Sequence, residues 1–532
     1  MKPRDKTRRH LPAWRRWLRR LLVSTVALAV CSWLALYSYG RLADRALGPP
    51  SQAFAPRADD TALDRAIAPM LAARAGESGM VLIEDNLQAY AIRARSARQA
   101  ERSLDVMYYI WRADETGRQL LRDLGDAAQR GARVRMLLDD NNQRGMDDLL
   151  LALDKHPNLE VRLFNPGRNR RGYLGRGLEL LLRPASLNRR MHNKAWIADN
   201  RVAIVGGRNI GDEYFDGSEH VNFADADLLL IGPAVEQTSA VFDSYWNSRA
   251  VIPIKALASA EVAAPDHRDT RIGDTRPAGP YRRALDEAVA SMDHWLSTHP
   301  AHWSANVQVI TDPPEKALPH EATNDRQPLL IQKLAAAMNS VARELTIVSP
   351  YFVPGEAGSQ WLIRLAERPV SVHVLTNSLA ATDVALVHAG YSAYRQQLLR
   401  AGVDLRELVP DRSGHALSWL GSSSASLHTK AFVVDDRIGF VGSFNFDPRS
   451  TWLNTEMGVL FEQAELATQL HDIYGRTLEP GASFDLFLDQ GKLRWRDQRN
   501  GVDIAWTHDP DSSWLLRALI AAARLLPIES QL

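Results

Sequence analysis

The sequence has one cysteine, Cys31, in 532 residues. A single thiol excludes an intrachain disulfide framework and any metal site built from thiolates. Excess charge is missing too: 64 Lys and Arg against 63 Asp and Glu leave a formal net charge of +1. That charge is unevenly spread, with +8 in the first 20 residues and therefore −7 on the remainder. A mildly acidic body argues against sequence-independent nucleic-acid binding, which needs a basic field over the domain, and no nucleic-acid partner is expected.

Charge is absent altogether from residues 21–39, LLVSTVALAVCSWLALYSY. At about 1.5 Å per residue a helix of that length spans the ~30 Å hydrocarbon core of a bilayer. The sequence therefore predicts a basic cytoplasmic segment over 1–20 and a transmembrane helix over 21–40. Arg15, Arg16, Arg19 and Arg20 flank the helix and favour the cytoplasm. The positive-inside tendency then sends the rest outward, in a bacterium to the periplasmic face of the inner membrane. The competing reading is a cleaved signal peptide, but the run is long for one and lacks a small-x-small site after it. LAVC superficially resembles a lipoprotein processing site. Val30 is a poor residue before the cysteine, and a small residue within an apolar helix is the simpler reading.

What the chain does have is one short pattern twice: MHNKAWIADNRVAIVGGRN and LHTKAFVVDDRIGFVGSFN. Each copy places His, Lys, Asp, Gly and Asn at the same offsets, as His192, Lys194, Asp199, Gly206 and Asn209, then His428, Lys430, Asp435, Gly442 and Asn445. His-x-Lys within an apolar alternation reads as a β-strand whose residues i and i+2 share a face. A second strand, VAIV or IGFV, ends in a Gly turn that returns Asn to the same place. Imidazole supplies a nucleophile or a proton carrier near neutral pH, while Lys and the Asn amide donate to phosphoryl oxygens. One copy is half of a phosphate site and two facing copies complete it. For a lone copy, a polar edge strand with a solvated histidine is an equal reading; matched offsets in two copies weigh against it.

These residues resemble the phospholipase D superfamily, whose signature is His-x-Lys-x4-Asp with a downstream Gly-Gly/Ser-x-Asn. The resemblance covers roughly residues 80 to 530. LDVMYYIW at 104, RVRMLLDDNN at 133, LNRRMHNK at 187, GGRNIGDEYF at 206, TNSLAATD at 376 and SFNFDPRS at 443 are similar to the bacterial cardiolipin synthase branch, its C-type in particular. The fold class expected is α/β: two similar lobes, each a mixed, mostly parallel sheet flanked by helices, behind one transmembrane helix. The boundaries expected are a linker over 41–79 with a short helix at 60–75, a first lobe over 80–254, a connecting segment over 255–300, a second lobe over 301–480, and an amphipathic tail over 481–532. Alternating strand and helix patterns in both lobes support this order. Residues 255–283, rich in Asp, Arg, Pro and Ala, read as a surface connection.

The residue set suits phosphoryl transfer through a covalent intermediate. One histidine attacks phosphorus and the other protonates the departing alkoxide, then deprotonates the incoming hydroxyl. The resemblance implies that His192 is the nucleophile. The two histidines titrate as a coupled pair. Lys194, Lys430, Asn209 and Asn445 are expected on the nonbridging oxygens. No metal or cofactor is called for. Aligning FADADLLLIG with LNTEMGVLF pairs Asp227 with Glu456, and these carboxylates are expected to orient the two imidazoles. Asp199 and Asp435, at strand ends, read as turn carboxylates with a structural role.

Residues 166–191 interleave Arg with Leu and Tyr just before the first motif. Such a segment suits anionic headgroups, and it equally suits a solvated loop followed by a packed helix. The C-terminal SSWLLRALIAAARLLPIESQL is amphipathic and fits either a membrane surface or a dock on the lobes. The resemblance implies a phosphatidyltransferase acting on phospholipids at the membrane, with phosphatidylethanolamine as donor and phosphatidylglycerol as acceptor, and a separate macrodomain partner protein. A hydrolytic phospholipase D uses the same residues with water as acceptor, and a nuclease of the superfamily ranks third. A noncatalytic scaffold is disfavoured by two intact motifs.

Overall fold

The computed structural model describes residues 13–57, 59–143, 145–170, 173–218, 221–257, 292–318, 330–410, 425–499, 502–526 and 529–531. The surface connection expected over 255–283 falls outside the described residues from 258 onward, as does the basic segment up to residue 12.

The first lobe contributes β1 (Ser78–Ile83), β2 (Ser103–Tyr108), β3 (Arg133–Asp139), β4 (Leu159–Phe164), β5 (Ala195–Ala198), β6 (Val202–Gly206), β7 (Asn222–Ala224), β8 (Asp227–Ile231) and β9 (Val251–Pro253). Then follow β10 (His302–Ser304), β11 (Val307–Thr311), β12 (Glu344–Val348), β13 (Ser371–Asn377), β14 (Asp404–Leu408), β15 (Ala425–Leu427), β16 (Ala431–Val434), β17 (Ile438–Gly442), β18 (Met457–Glu462), β19 (Ser483–Asp489), β20 (Lys492–Arg499) and β21 (Val502–Trp506). One sheet runs β10-β1-β8-β6-β5-β2-β3-β4-β9 and the other β11-β18-β17-β16-β12-β13-β14-β19-β20-β21. Strands β8-β6-β5-β2-β3-β4 match β18-β17-β16-β12-β13-β14 one for one, so the sequence repeat is a structural repeat.

The helices form where the pattern places them. Helix Glu115–Gln129 starts at Asp114, whose carboxylate accepts the Gly117 N–H at 3.0 Å. It buries Leu120, Leu121, Leu124, Ala127 and Ala128 on one stripe and ends before Gly131, at φ 105°.

Three expectations need correction. The sheets are mixed, but within the two large ones parallel pairing among the described residues is confined to β2-β3-β4 and β12-β13-β14, while β7 and β15 form a separate two-stranded parallel sheet. The hairpins β5-β6 and β16-β17 and the strands beside them are antiparallel, because short turns can join only antiparallel neighbours. The boundaries also shift. Strand β10 covers the outer edge of β1 in the first sheet, so the second lobe begins at β11. Strands β19, β20 and β21 extend the second sheet from β14 to Trp506, so the expected tail opens with three strands, Phe484 and Leu486 buried, before helix Trp514–Ala523. Finally, the linker docks in part: helix Ala62–Ala72 buries Leu63 and Ile67, and its Asp64 is ion-paired to Arg102 and Arg201.

The lobes share one core. Met107, Ile197, Val205 and Leu228 pack with Val433, Val441, Val459 and Phe461. Each such buried side chain contributes about 1.5–3 kcal/mol, so the halves are held face to face by much more than a polar contact. The N-terminal helix, Ala13–Ala46, holds an apolar stretch long enough to cross a membrane by length and composition.

Candidate active site

Each motif histidine is pinned by the opposite lobe. The His192 N–H donates to the Thr455 carbonyl at 2.9 Å, and the Thr455 N–H donates to the Arg190 carbonyl at 2.9 Å. In the other half β15 pairs in parallel with β7, and the His428 N–H donates to the Ala224 carbonyl at 2.8 Å. His-x-Lys therefore precedes the regular strand, which starts at Ala195 and at Ala431, because its backbone is engaged across the lobe boundary. The side chains still share a face: Lys194 Nζ donates to the His192 carbonyl at 2.6 Å, and Lys430 Nζ does the same to His428.

The imidazoles are oriented across the same boundary. His192 Nδ1 lies 2.9 Å from Glu456 Oε2 and 3.1 Å from the Ser443 carbonyl. His428 Nδ1 lies 2.6 Å from Asp225 Oδ2. Facing acceptors, both Nδ1 atoms carry hydrogen, which leaves both Nε2 lone pairs for the site. Edge-on aromatic rings complete the walls, with Tyr109 4.8 Å from His192 and Tyr214 5.2 Å from His428 between ring centres.

Glu456 stands where the sequence alignment places an orienting carboxylate, but Asp227 does not. Gly206 pairs with Asp227 and Gly442 with Gly458, so Asp227 aligns with Gly458 and the residue equivalent to Glu456 is Asp225. Asp227 instead binds two buried guanidiniums, Arg93 at 2.9 Å and Arg208 at 3.3 Å. Arg208 also donates to the Ile83 carbonyl at 2.9 Å and to Asn86 Oδ1 at 2.9 Å, which fixes the loop that carries Asp225.

Asn209 donates to the Tyr214 hydroxyl at 2.8 Å and accepts from the Ile110 N–H at 3.2 Å; Asn445 is buried, its own N–H on Ser450 Oγ at 3.3 Å. Asp199 and Asp435 lie at the opposite ends of the strands. Asp199 accepts the N–H groups of Glu101, Arg102 and Ser103, and Asp435 those of Ala342, Arg343 and Glu344. They tie the motif hairpins to the starts of β2 and β12, and both take left-handed φ, 51° and 54°.

Tyr109, Tyr214 and Asp225, outside the motifs, and Arg208 and Ser443, at motif positions given no role in the sequence reading, also shape the site. The structure selects Asp225: it follows Ala224, the residue whose carbonyl takes the His428 N–H, as Glu456 follows Thr455, whose carbonyl takes the His192 N–H. Ser443 Oγ donates to Glu456 Oε2, and Glu456 takes its N–H to Asp312 Oδ2 at 3.1 Å. The first motif has Gly207 at the Ser443 position, and a Cβ there would overlap the Asp225 carboxylate.

Burial dominates the electrostatics. It holds both histidines well below the ordinary imidazole range, with the two lysine charges acting in the same direction. It lowers Lys194 to about 7 and Lys430 to about 8. It raises Glu456 to about 7, against the pull of Lys194, and raises Asp225 as well. An anion between the two ammonium groups offsets that cost, so the site favours a phosphodiester over a neutral guest.

Residues 94–246 and 330–478 each match the family described as cardiolipin synthase, PLD-like domain. The chain belongs to this family. Over 482 residues it is 42% identical to cardiolipin synthase C of Escherichia coli K12, covering 88% of this chain and 99% of that one. Cardiolipin synthase of Staphylococcus aureus Mu50 is 23% identical over 75% of this chain and 67% of its own length. In fold, the chain is similar to the crystal structure of phosphatidylserine synthase from Haemophilus influenzae, with TM-score 0.54 and 15% identity over 85% of this chain and 95% of that one. Membership of the cardiolipin synthase family and the N-terminal apolar helix together mark a membrane-associated enzyme.

Proposed function

We propose that this chain is a phosphatidyltransferase that makes cardiolipin, with phosphatidylethanolamine as donor and phosphatidylglycerol as acceptor. The observation that carries the reading is the reciprocal orientation of His192 by Glu456 and His428 by Asp225, which leaves two Nε2 atoms for one phosphorus. The 42% identity to a cardiolipin synthase C over nearly its whole length supports the choice of lipids.

In this reading His192 Nε2 attacks phosphorus and the bond from phosphorus to the headgroup oxygen breaks. The protonated His428 gives its Nε2 proton to that oxygen, and ethanolamine leaves. The terminal hydroxyl of phosphatidylglycerol then loses its proton to His428 and attacks phosphorus. The phosphorus–nitrogen bond breaks, and His192 returns to its neutral state. Asp225 stabilises the His428 imidazolium, and the anionic substrate counters the lysine charges that disfavour it. Lys194, Lys430, Asn209 and Asn445 hold the nonbridging oxygens as charge develops. Two displacements give retention at phosphorus.

The flank of Arg15, Arg16, Arg19 and Arg20 supports a cytoplasmic N-terminus and periplasmic lobes at the inner membrane. The macrodomain partner rests on the resemblance alone. Purified enzyme supplied with labelled phosphatidylethanolamine and phosphatidylglycerol is expected to release cardiolipin and ethanolamine, and to stop doing so as His192→Ala or His428→Ala. Phosphatidic acid as sole product would replace the synthase with a hydrolase.

A further inference from the structure

The N-terminal helix leaves the first lobe on the side of the histidines. Pro49 accepts from Arg162 Nη2 at 2.7 Å, midway along β4. Ten residues earlier, Tyr39 lies under the Arg183 guanidinium at 3.4 Å, and Ser38 accepts from Arg168 Nη1 at 3.1 Å. Arg168 and Arg183 lie beyond Phe164, the last residue of β4, so the helix rises past the strand end nearest the site. Its apolar stretch projects free of the lobes.

Two further apolar surfaces stand at that end. Helix Tyr173–Leu182, packed beside the N-terminal helix, exposes Leu174 at 91% and Leu178, Leu180 and Leu181 at 57% each. Its Glu179 is turned inward to the N–H groups of Arg168 and Asn169, both at 2.9 Å, while these four leucines face out. Across the mouth, helix Trp514–Ala523 docks through Ile520 and Ala523 on Leu379 and Ala389. That leaves Trp514, Leu515 and Leu519 outward, with Leu525 after the helix and Trp452, on the helix packed beside Glu529–Gln531, also exposed. The two surfaces are stitched together at the site: Arg449 donates to the Asn188 carbonyl at 2.8 Å, and Asn188 Nδ2 donates to Gln531 Oε1 at 2.6 Å. Asn188 is four residues before His192, and the charge of Arg449 is felt by the His192 imidazole.

We propose that these surfaces form a docking rim that seats the mouth of the site on the same bilayer the N-terminal helix enters. The occupant is a phospholipid surface: the rim continues the apolar face of the anchor, and the exposed Arg168 sits at the junction, where a long basic side chain meets headgroups, while Arg183, buried between Tyr39 and Glu179, holds the anchor to the lobe. The rim deepens the phospholipid reading above by naming the way in, since a phosphodiester then reaches His192 and His428 straight from the headgroup layer. Apolar leucines that would be a liability on a soluble face become the contact that holds the lobes against the membrane.

The test uses the full chain in phosphatidylethanolamine and phosphatidylglycerol vesicles that contain brominated lipid. With Cys31→Ser as background, single labels are placed through Leu178→Cys, Trp452→Cys and Leu519→Cys, with Gln490→Cys at the far strand ends as reference. Strong quenching at the first three, and none at Gln490→Cys, is expected. Quenching at the rim no greater than at Gln490→Cys would overturn the proposal. As a second measurement, Leu178→Asp combined with Leu181→Asp is expected to raise the apparent KM for vesicle lipid roughly tenfold at unchanged Tm; an unchanged KM would count against the rim. Rim quenching without any cardiolipin product would keep the docking surface and discard the synthase reading.

Discussion

His428 Nδ1 stands 2.6 Å from Asp225 Oδ2, across the lobe boundary, while Asp227, two residues on, faces away toward Arg93 and Arg208. The two aspartates should therefore fail in different ways. Asp225→Asn removes the acceptor that fixes the imidazole tautomer, and kcat is expected to fall about a thousandfold with little change in Tm. Asp227→Asn leaves buried guanidiniums short of their counter-charge and is expected to cost about 3–5 kcal/mol of stability. Steady-state kinetics beside denaturant unfolding separates them.

The lysines set the basic side of the pH profile. A lysine is cationic below its pKa, and burial lowers Lys194 to about 7 and Lys430 to about 8. As pH rises through that range the free enzyme loses its phosphate-binding charge, so kcat/KM is expected to fall there. Bound phosphodiester favours the ammonium form, so the plateau in kcat should extend to higher pH. A kcat/KM flat across that range would show that the lysines do not govern substrate capture.

Asp199 and Asp435 do the same task at different depths. Each accepts three backbone N–H groups, but Asp199 is fully buried and Asp435 is partly exposed. Asp199→Ala is expected to destabilise by about 3 kcal/mol and Asp435→Ala by about 1. Calorimetry on both variants, with KM for vesicle lipid unaltered in the survivors, checks this.

The Gly207 and Ser443 positions are equivalent in the repeat but not exchangeable. Gly207→Ser places a Cβ onto the Asp225 carboxylate and is expected to lower kcat about a hundredfold by displacing the partner of His428. Ser443→Gly removes a hydroxyl that donates to Glu456 and accepts the Met457 N–H but introduces no clash, and a loss of several-fold is expected.

The residues proposed to do the chemistry are legible because period-2 patterning and matched offsets are local. His192, Lys194, His428 and Lys430 needed nothing beyond their own segments. What was not legible depends on register between segments far apart in sequence. Asp225 and Asp227 stand two positions apart in one Ala-Asp-Ala-Asp run, and the pairing of Gly206 with Asp227 and of Gly442 with Gly458 tells them apart. Strand β10 is three residues long and its sequence carries no alternation, so its place on the edge of β1 follows from the unpaired edge it covers rather than from any signal of its own. Strands β19, β20 and β21 read as tail in the sequence because a short, partly charged alternation beside an amphipathic helix is ambiguous until a partner edge is present.

The crossed carboxylates also constrain how such a chain can change over generations. A mutation at Glu456 acts on the histidine of the other half, as does one at Asp225, so neither repeat can drift or be traded for a homologous copy on its own. After a duplication joins two such halves, selection acts on them as a single heritable unit, each preserving the other's reactive nitrogen.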